Sequence, residues 1–158
     1  MTESNTLLLT GQTKASRFIV LVGEDRIPIP IPESRFIGLL VLVDAKINRS
    51  SGRAELRDFE SSGVAFEKAH LHQLIRRLRL DFSVALGCDG SGLVVHEGRS
   101  RYSLSISRHD IVIAPDFLEL ETDLPRDLFL RLKKVVQDLH TAHVSKEASA
   151  LSVLPLSM

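Results

Sequence analysis

Along the first third of the chain, apolar positions come in short runs or alternate with other residues, a pattern typical of β-strands. TLLLTG and RFIVLVG are apolar, partly β-branched and closed by glycine, and each predicts a short strand. RIPIPIPE alternates apolar residues with proline. Because Pro28, Pro30 and Pro32 have no backbone N–H, this third strand is predicted to lie at a sheet edge or to be incompletely paired. The Gly-Glu-Asp sequence before it predicts a hairpin turn.

The apolar spacing then changes to three and four residues, the period of an amphipathic helix. Residues 33–47 predict a core helix that ends at the breaker NRSSG, and residues 53–60 predict a shorter helix. A third helix is predicted over residues 65–86, before the glycine-rich stretch GCDGSG. The apolar stripe that should face the core in this third helix consists of Leu71, Leu74, Ile75, Leu78 and Phe82.

Two short strands, GLVVHEG and RYSLSIS, follow this helix and predict a β-hairpin with a polar turn at residues 97–99. RHDIVIAP is a candidate for a further strand. The segment DLPRDLFLRLKKVVQDLHTAHV predicts an amphipathic helix with an apolar stripe. That stripe has two interpretations, which can both hold if the helix is long: it packs against its own domain, or it pairs with a second copy in a symmetric dimer.

These patterns divide the chain into four parts. Residues 1–14 are predicted to form a strand or a flexible arm, and residues 15–108 the main domain. Residues 109–145 add a strand and an amphipathic helix, which is a candidate dimerisation element. Residues 146–158 are predicted to be a flexible tail. A chain of 158 residues is long enough for one domain with a substantial core.

Charge is balanced over the whole chain but is unevenly distributed. The 20 Lys and Arg residues equal the 20 Asp and Glu residues, which argues weakly against nucleic acid as a partner. Residues 66–108, however, hold seven Lys or Arg against four Asp or Glu, whereas residues 109–158 hold five against eight. A basic middle segment is therefore balanced by an acidic C-terminal one.

Few patterns point to catalysis, metal binding or a membrane. Cys88 is the single cysteine, which excludes an intrachain disulfide and a cysteine-cluster metal site. His70 and His72 are two residues apart and do not share a helical face, and no acidic partner has metal-ligand spacing. No secretory signal and no apolar run of membrane-spanning length is present. We therefore expect a soluble, cytoplasmic protein without enzyme activity, cofactor or membrane association.

Three segments carry a resemblance to a known family. RIPIPIPESRFIGLLVLV leads from an apolar strand through proline and an acidic residue into a helix, LHQLIRRLRLDF contains a Leu-Arg pair within an apolar stripe, and LVVHEGRSRYSL ends in Tyr-x-Leu. In this order they resemble the winged helix-turn-helix domain of the OmpR type, the DNA-binding half of many bacterial response regulators. The resemblance covers roughly residues 15–106. The resulting prediction is an α+β winged helix-turn-helix with N-terminal antiparallel strands, three helices, a C-terminal β-hairpin wing and an added C-terminal helix.

The chain also departs from the family in places. The family usually has two glycines just before the wing tyrosine, where this sequence has Arg99 and Arg101. A histidine that is common in the family's third helix is replaced by Leu74. A receiver domain is not expected, so the resemblance does not imply phosphorylation of an aspartate in this chain.

The resemblance implies binding of double-stranded DNA by a small transcriptional regulator. The third helix would enter the major groove, where Arg and Lys reach guanine edges, and the wing would contact the backbone or the minor groove. We expect Arg76 and Arg79 to contribute most. The resemblance also implies contact with RNA polymerase through residues 58–65, and we expect a homodimer through the C-terminal helix. The candidate DNA-binding residues are Lys68, His72, Gln73, Arg76, Arg77, Arg79, Arg99 and Arg101.

An alternative hypothesis comes from a different functional class. An arginine face opposite an apolar stripe is most often a solvated surface, and the neutral net charge favours a partner other than nucleic acid. On this interpretation the chain is a protein–protein interaction module on a winged-helix scaffold and does not bind DNA.

Overall fold

A computed structural model describes residues 6–137, except for the side chains of residues 88, 89 and 91. Short 3₁₀ turns at Gly87–Leu93, Arg108–Asp110 and Pro115–Asp123 connect the later elements. The strands and helices in chain order are β1 (Leu7–Lys14), β2 (Arg17–Val22), β3 (Ile27–Pro32), α1 (Glu33–Asn48), α2 (Leu56–Ser61), α3 (Lys68–Leu86), β4 (Val94–His96), β5 (Tyr102–Leu104), β6 (Ile111–Ile113) and α4, which is described over residues 126–137.

The first three strands form an antiparallel meander, as the sequence predicts. The sheet order is β3-β2-β1-β6, so the proline-containing strand β3 lies at an edge. This position confirms the prediction from its prolines, because an edge strand tolerates residues that cannot donate a ladder hydrogen bond. Gly23 and Arg26 in the predicted turn have positive φ angles, 82° and 50°. The β2–β3 hairpin therefore forms where the Gly-Glu-Asp sequence placed it.

Strand β1 lies inside the sheet, between β2 and β6. Leu7 pairs with Val22 on one side and with Ile111 on the other, and the β1–β6 pairing is parallel. Leu7 and Leu9 are fully buried. The predicted division of the chain at residues 14 and 108 therefore separates strands of one sheet, and β1 is a core strand and not a flexible arm.

Helix α1 is buried on all sides along most of its length, because it packs between the sheet, α3 and strand β5. Every residue from Phe36 to Ala45 is buried. At Gly38 the two helices approach so closely that an added Cβ would lie 2.9 Å from Cδ2 of Leu74 in α3. The three- and four-residue apolar spacing of this helix, which predicts burial of one side, therefore underestimates how deeply the helix is enclosed.

The second helix begins at Leu56. The prediction placed its start at Arg53, but the residues before Leu56 extend the hairpin instead. Ala54 forms a β-bridge with Tyr102: its N–H donates to Tyr102 O at 2.8 Å and its carbonyl accepts from Tyr102 N at 3.0 Å. Pairing with β5 thus takes these residues out of the helix. The predicted helix over residues 53–60 was wrong in its start for this reason.

The predicted hairpin is present and is formed by β4 and β5. Val94 pairs with Leu104 and His96 with Tyr102, and the turn that joins them spans residues 97–101. A four-stranded sheet, several helices and this hairpin give an α+β fold, as predicted, and the arrangement is compatible with a winged helix.

Helix α4 packs within its own domain in the part of the chain that the structure describes. Leu128, Leu132 and Val136 are buried, and Phe129 stacks on Phe117 with ring centroids 5.9 Å apart. The described part of this apolar stripe is therefore packed within the monomer, as the first of its two interpretations expects, and the homodimer stays a prediction. Residues 138–145 of the predicted C-terminal helix and the predicted tail, residues 146–158, lie outside the described residues.

Candidate nucleic-acid interface

Helix α3 has one face in the core and one in solvent. Its 19 residues span roughly 28 Å at the usual helical rise. Arg35 of α1 forms a two-pronged ion pair with Asp81, Nε to Oδ2 at 2.7 Å and Nη2 to Oδ1 at 3.1 Å, which fixes the rotation of α3 against α1. The predicted core stripe is buried along its whole length: Leu71, Leu74, Ile75, Leu78 and Phe82.

Five of the eight candidate residues lie on the solvent face of α3. Lys68, His72, Gln73, Arg76 and Arg77 are exposed, and within residues 6–137 none of the three cations among them forms a salt bridge. When the amide oxygen of Gln73 faces Arg77, it accepts from Nε at 3.2 Å and from Nη2 at 3.3 Å. The face therefore carries cationic charge that the described carboxylates do not neutralise.

Arg79 differs from the other candidate residues of the helix. It is half-buried, and its Nε and Nη2 donate to the carbonyl of Val94 in β4 at 3.1 and 2.9 Å. The guanidinium therefore links α3 to the hairpin. In this position Arg79 holds the hairpin against the helix and does not project from it as the predicted base-reading residue.

The two hairpin candidates point to different places. Arg99 lies exposed in the turn with a φ of 50° and lines the groove between α3 and the hairpin. Arg101 is half-buried, donates from Nε to Gly98 O at 3.3 Å and lines a separate hollow beside α2. Arg101 precedes β5 and does not line the groove between α3 and the hairpin. Only Arg99 is therefore brought to the α3 surface.

A groove of about 500 Å³ separates α3 from the hairpin turn. Its walls are Lys68, Ala69, His72, His96, Arg99 and Ser100. The rings of His72 and His96 have centroids 6.2 Å apart, and each contacts Tyr102, at 6.1 and 5.0 Å respectively. Burial raises the pKa of Tyr102, and the positive charge of Arg79 opposes this rise only in part, so the phenol stays protonated at neutral pH.

The predictions from sequence did not include His96 and Tyr102 in the site. Their cross-strand pairing in the hairpin was the available signal, since two residues directly opposite each other place their side chains on the same face. What the sequence does not show is that this face turns toward His72. The groove therefore contains an aromatic cluster as well as cations.

Three large apolar side chains are also exposed on and beside α3. Phe66 precedes the helix and is 62% exposed, while Leu80 and Val84 are 55% and 88% exposed. Leu80 and Val84 are four residues apart and share a face with Arg76 and Gln73. The outer surface of α3 is therefore cationic in its first half and apolar in its second.

The segment expected to touch RNA polymerase, residues 58–65, is mostly engaged within the protein. Asp58 forms a two-pronged ion pair with Arg49 and accepts from the backbone N–H of Glu55 at the start of α2. Burial alone would raise the pKa of Asp58, but these bonds lower it below its ordinary value, and the pKa of Arg49 is raised by its hydrogen bond to Asp58. Phe59 and Ala65 are buried, which leaves residues 61–63 as the accessible part.

Comparisons with protein-family models, curated proteins and solved structures found no match to the chain. Among the described residues, groups of three or more His, Cys, Asp or Glu side chains placed to hold a metal ion are absent. The described helices also include no segment with both the length and the apolar character needed to cross a bilayer.

Proposed function

We propose that this protein binds double-stranded DNA in a sequence-specific manner and acts as a small transcriptional regulator. The observation that carries the proposal is the cationic solvent face of α3, uncompensated by the described carboxylates, beside a β-hairpin that ends in Arg99. An α-helix fits the major groove of B-DNA, which is about 12 Å wide. The resemblance to winged helix-turn-helix domains gives the same orientation.

The residues divide into two roles under this proposal. Gln73, Arg76 and Arg77 lie on the outward face of α3 and would reach base edges, where Arg reads guanine and Gln reads adenine. Lys68 and Arg99 border the groove between helix and hairpin and would contact the phosphates of the strand that passes there. Arg79 keeps the hairpin in register with the helix through Val94 O.

The four cations that face the DNA set the expected salt dependence. On a duplex of random sequence, where base contacts are not made, Lys68, Arg76, Arg77 and Arg99 would all lie against phosphates. The logarithm of the binding constant should then fall with the logarithm of salt concentration with a slope of about −3 to −4. This is modest for a DNA-binding protein, so a dimer on two half-sites would raise the affinity. Since the α4 stripe is buried within the monomer over residues 126–137, such a dimer would use another surface or the part of the predicted helix after residue 137. RNA polymerase remains a proposed partner through residues 61–63.

Fluorescence anisotropy with labelled random duplex, titrated at several salt concentrations, tests the proposal. We expect Arg76→Ala with Arg77→Ala to weaken binding to every duplex and to reduce the slope by about 2. The control double variant, Lys14→Ala with Arg17→Ala, removes the same charge from the exposed β1–β2 turn and should leave the slope near the wild-type value. Selection from a random duplex library should then yield a consensus sequence. No detectable binding at low salt, or equal slopes for the two double variants, would contradict the proposal.

A second candidate function is supported by the apolar half of α3. Large exposed apolar side chains that cluster on one surface mark interaction sites, and Phe66, Leu80 and Val84 are such residues. In this case α3 would bind a protein partner and not DNA. The double variant Leu80→Glu with Val84→Glu adds two negative charges to α3 and separates the two functions at low salt. It should abolish duplex binding if α3 enters the major groove, whereas duplex binding equal to that of the wild type would show that α3 does not contact DNA and would favour the second function.

A further inference from the structure

A second basic hollow lies at the C-terminal end of α1, apart from the α3 surface. It has a volume of about 340 Å³. Two separate parts of the chain form it: the end of α1 with the loop that follows, and the 3₁₀ turn before β6. Its lining residues are Lys46, Arg49, Ser50, Ser51, Gly52, Ser107, Arg108 and His109.

The lining is unusual in its charge. Three of its side chains are Lys or Arg, one is His and three are serine hydroxyls, while the carboxylates of the described residues do not contribute to it. Arg49 is held by Asp58, but Lys46, Arg108 and His109 form no salt bridge within residues 6–137. Concentrated positive charge destabilises a folded protein unless an anion is near, so this hollow is electrostatically suited to a negatively charged ligand.

The backbone around the hollow is fixed by local hydrogen bonds. Gly52 donates to Arg49 O at 3.1 Å, and the N–H of Arg53 donates to Ser51 Oγ at 3.3 Å, which closes the serine-glycine loop. Gly52 is buried with a φ of 68°, a conformation that other residues rarely adopt. At the 3₁₀ turn before β6, Ser107 Oγ accepts from the N–H of His109 at 3.3 Å. The hydroxyls and cations are therefore presented by ordered turns.

We propose that this hollow binds a phosphomonoester, with Lys46 of α1 and Arg108 of the 3₁₀ turn both contacting the phosphate. A phosphate dianion offers acceptor oxygens to ammonium, guanidinium and hydroxyl donors at once, and charge-assisted hydrogen bonds are the strongest of these contacts. A pocket that accommodates a ligand usually measures about 300–1,000 Å³. The hollow is therefore large enough to hold an organic group attached to the phosphate.

The site is independent of the proposed DNA-binding function, because it shares no residue with the α3 surface or its groove. Arg49 gives it a connection to α2. The same guanidinium that lines the hollow holds Asp58, which accepts from the backbone N–H at the start of α2.

Isothermal titration calorimetry with glucose 6-phosphate, inorganic phosphate and glucose tests the proposal on the full chain. We expect saturable binding of the two phosphate compounds and none of glucose. Lys46→Gln with Arg108→Gln should weaken phosphate binding by about tenfold or more, since it removes two charge-assisted contacts. The control, Lys14→Gln with Arg17→Gln, removes equal charge from the exposed β1–β2 turn and should bind like the wild type. Circular dichroism checks that both variants fold.

If Lys46→Gln with Arg108→Gln does not fold, the exposed single variant His109→Ala serves in its place and should weaken phosphate binding by about threefold. Absence of saturable phosphate binding, or equal affinities of the hollow and control variants, would overturn the proposal. Loss of duplex affinity in the hollow variant, together with no binding of either phosphate compound, would show that this surface contacts the DNA backbone, and would also overturn a small-molecule site.

Discussion

Replacement of Arg79 by alanine should show whether Arg79 holds the hairpin against α3 or contacts DNA. The substitution removes two hydrogen bonds from a charged group to Val94 O, at 3.1 and 2.9 Å, and uncovers part of the α3–hairpin contact. A hydrogen bond from a charged donor contributes roughly 1.5–3 kcal/mol when buried, and here both bonds share one acceptor on a half-buried group. We therefore expect the free energy of unfolding to fall by about 1–2 kcal/mol.

Urea denaturation followed by circular dichroism measures this loss directly. The midpoint should shift while the slope of the free energy against urea stays constant, since the change affects stability and not the surface exposed on unfolding. In a domain of this size the melting temperature should fall by roughly 3–6 °C. The matched control, Arg76→Ala, removes an exposed arginine from the same helix and should change stability by no more than about 0.5 kcal/mol.

DNA binding supplies the other half of the test. Arg79→Ala should weaken duplex binding through a displaced hairpin, with a salt slope close to that of the wild type. Arg76→Ala should reduce the slope by about 1 at nearly unchanged stability. If Arg79→Ala keeps full stability and instead lowers the slope by one unit, Arg79 contacts phosphate, and the structural role inferred from Val94 is wrong.

Three further predictions address the fold and its electrostatics. Gly11→Ala should lower the free energy of unfolding by about 3 kcal/mol, because the added Cβ would lie 1.9 Å from the backbone oxygen of Asp116. The control Gly92→Ala, whose Cβ would have no atom within 4 Å, should leave stability unchanged, and thermal melts of the two variants test this difference. The pKa of Asp58 is lowered in the folded protein, so this carboxylate contributes stability that is present above its unfolded pKa and is lost as pH falls through the folded value. In urea titrations, the stability difference between wild type and Asp58→Asn should therefore be constant above about pH 5 and shrink below about pH 4. Leu132→Ala should cost about 2–5 kcal/mol regardless of protein concentration if α4 packs within the monomer, while a concentration-dependent melting temperature would reveal a dimer.

Local sequence patterns predicted the helices and strands. The features that these patterns did not predict depend on pairing between residues that are far apart in the chain. The three- and four-residue spacing in α1 and α3 depends only on neighbouring turns, so the buried stripe from Leu71 to Phe82 follows directly from the sequence. The bridge between Ala54 and Tyr102 joins residues far apart in the chain, and it shortened α2 at its start. The parallel pairing of β1 with β6 is similarly non-local.

The candidate site likewise has features that local patterns predict and features that depend on long-range packing. Periodicity correctly separates outward residues such as Arg76 from the inward stripe. Arg79 lies at the border of that stripe, where the partner of its side chain depends on which element packs beside the helix. That element is strand β4 of the hairpin, whose Val94 carbonyl accepts from Arg79. Arg101 was assigned with Arg99 because both are close to the turn, whereas in the structure Arg101 lines the hollow beside α2 and Arg99 lines the groove at α3.

The balanced net charge is compatible with DNA binding because charge acts locally. Salt screens interactions between exposed charges beyond about 8–10 Å, so a distant acidic segment does not cancel a cationic surface. The acidic 3₁₀ turn Pro115–Asp123 packs on β1, whereas α3 packs on α1 and β3. Within the basic region, Asp81 forms its ion pair with Arg35 of α1. Arg76 and Arg77 therefore have no carboxylate partner among the described residues. The relevant quantity is therefore the charge of the α3 face, and the salt slope of duplex binding measures that face and not the whole chain.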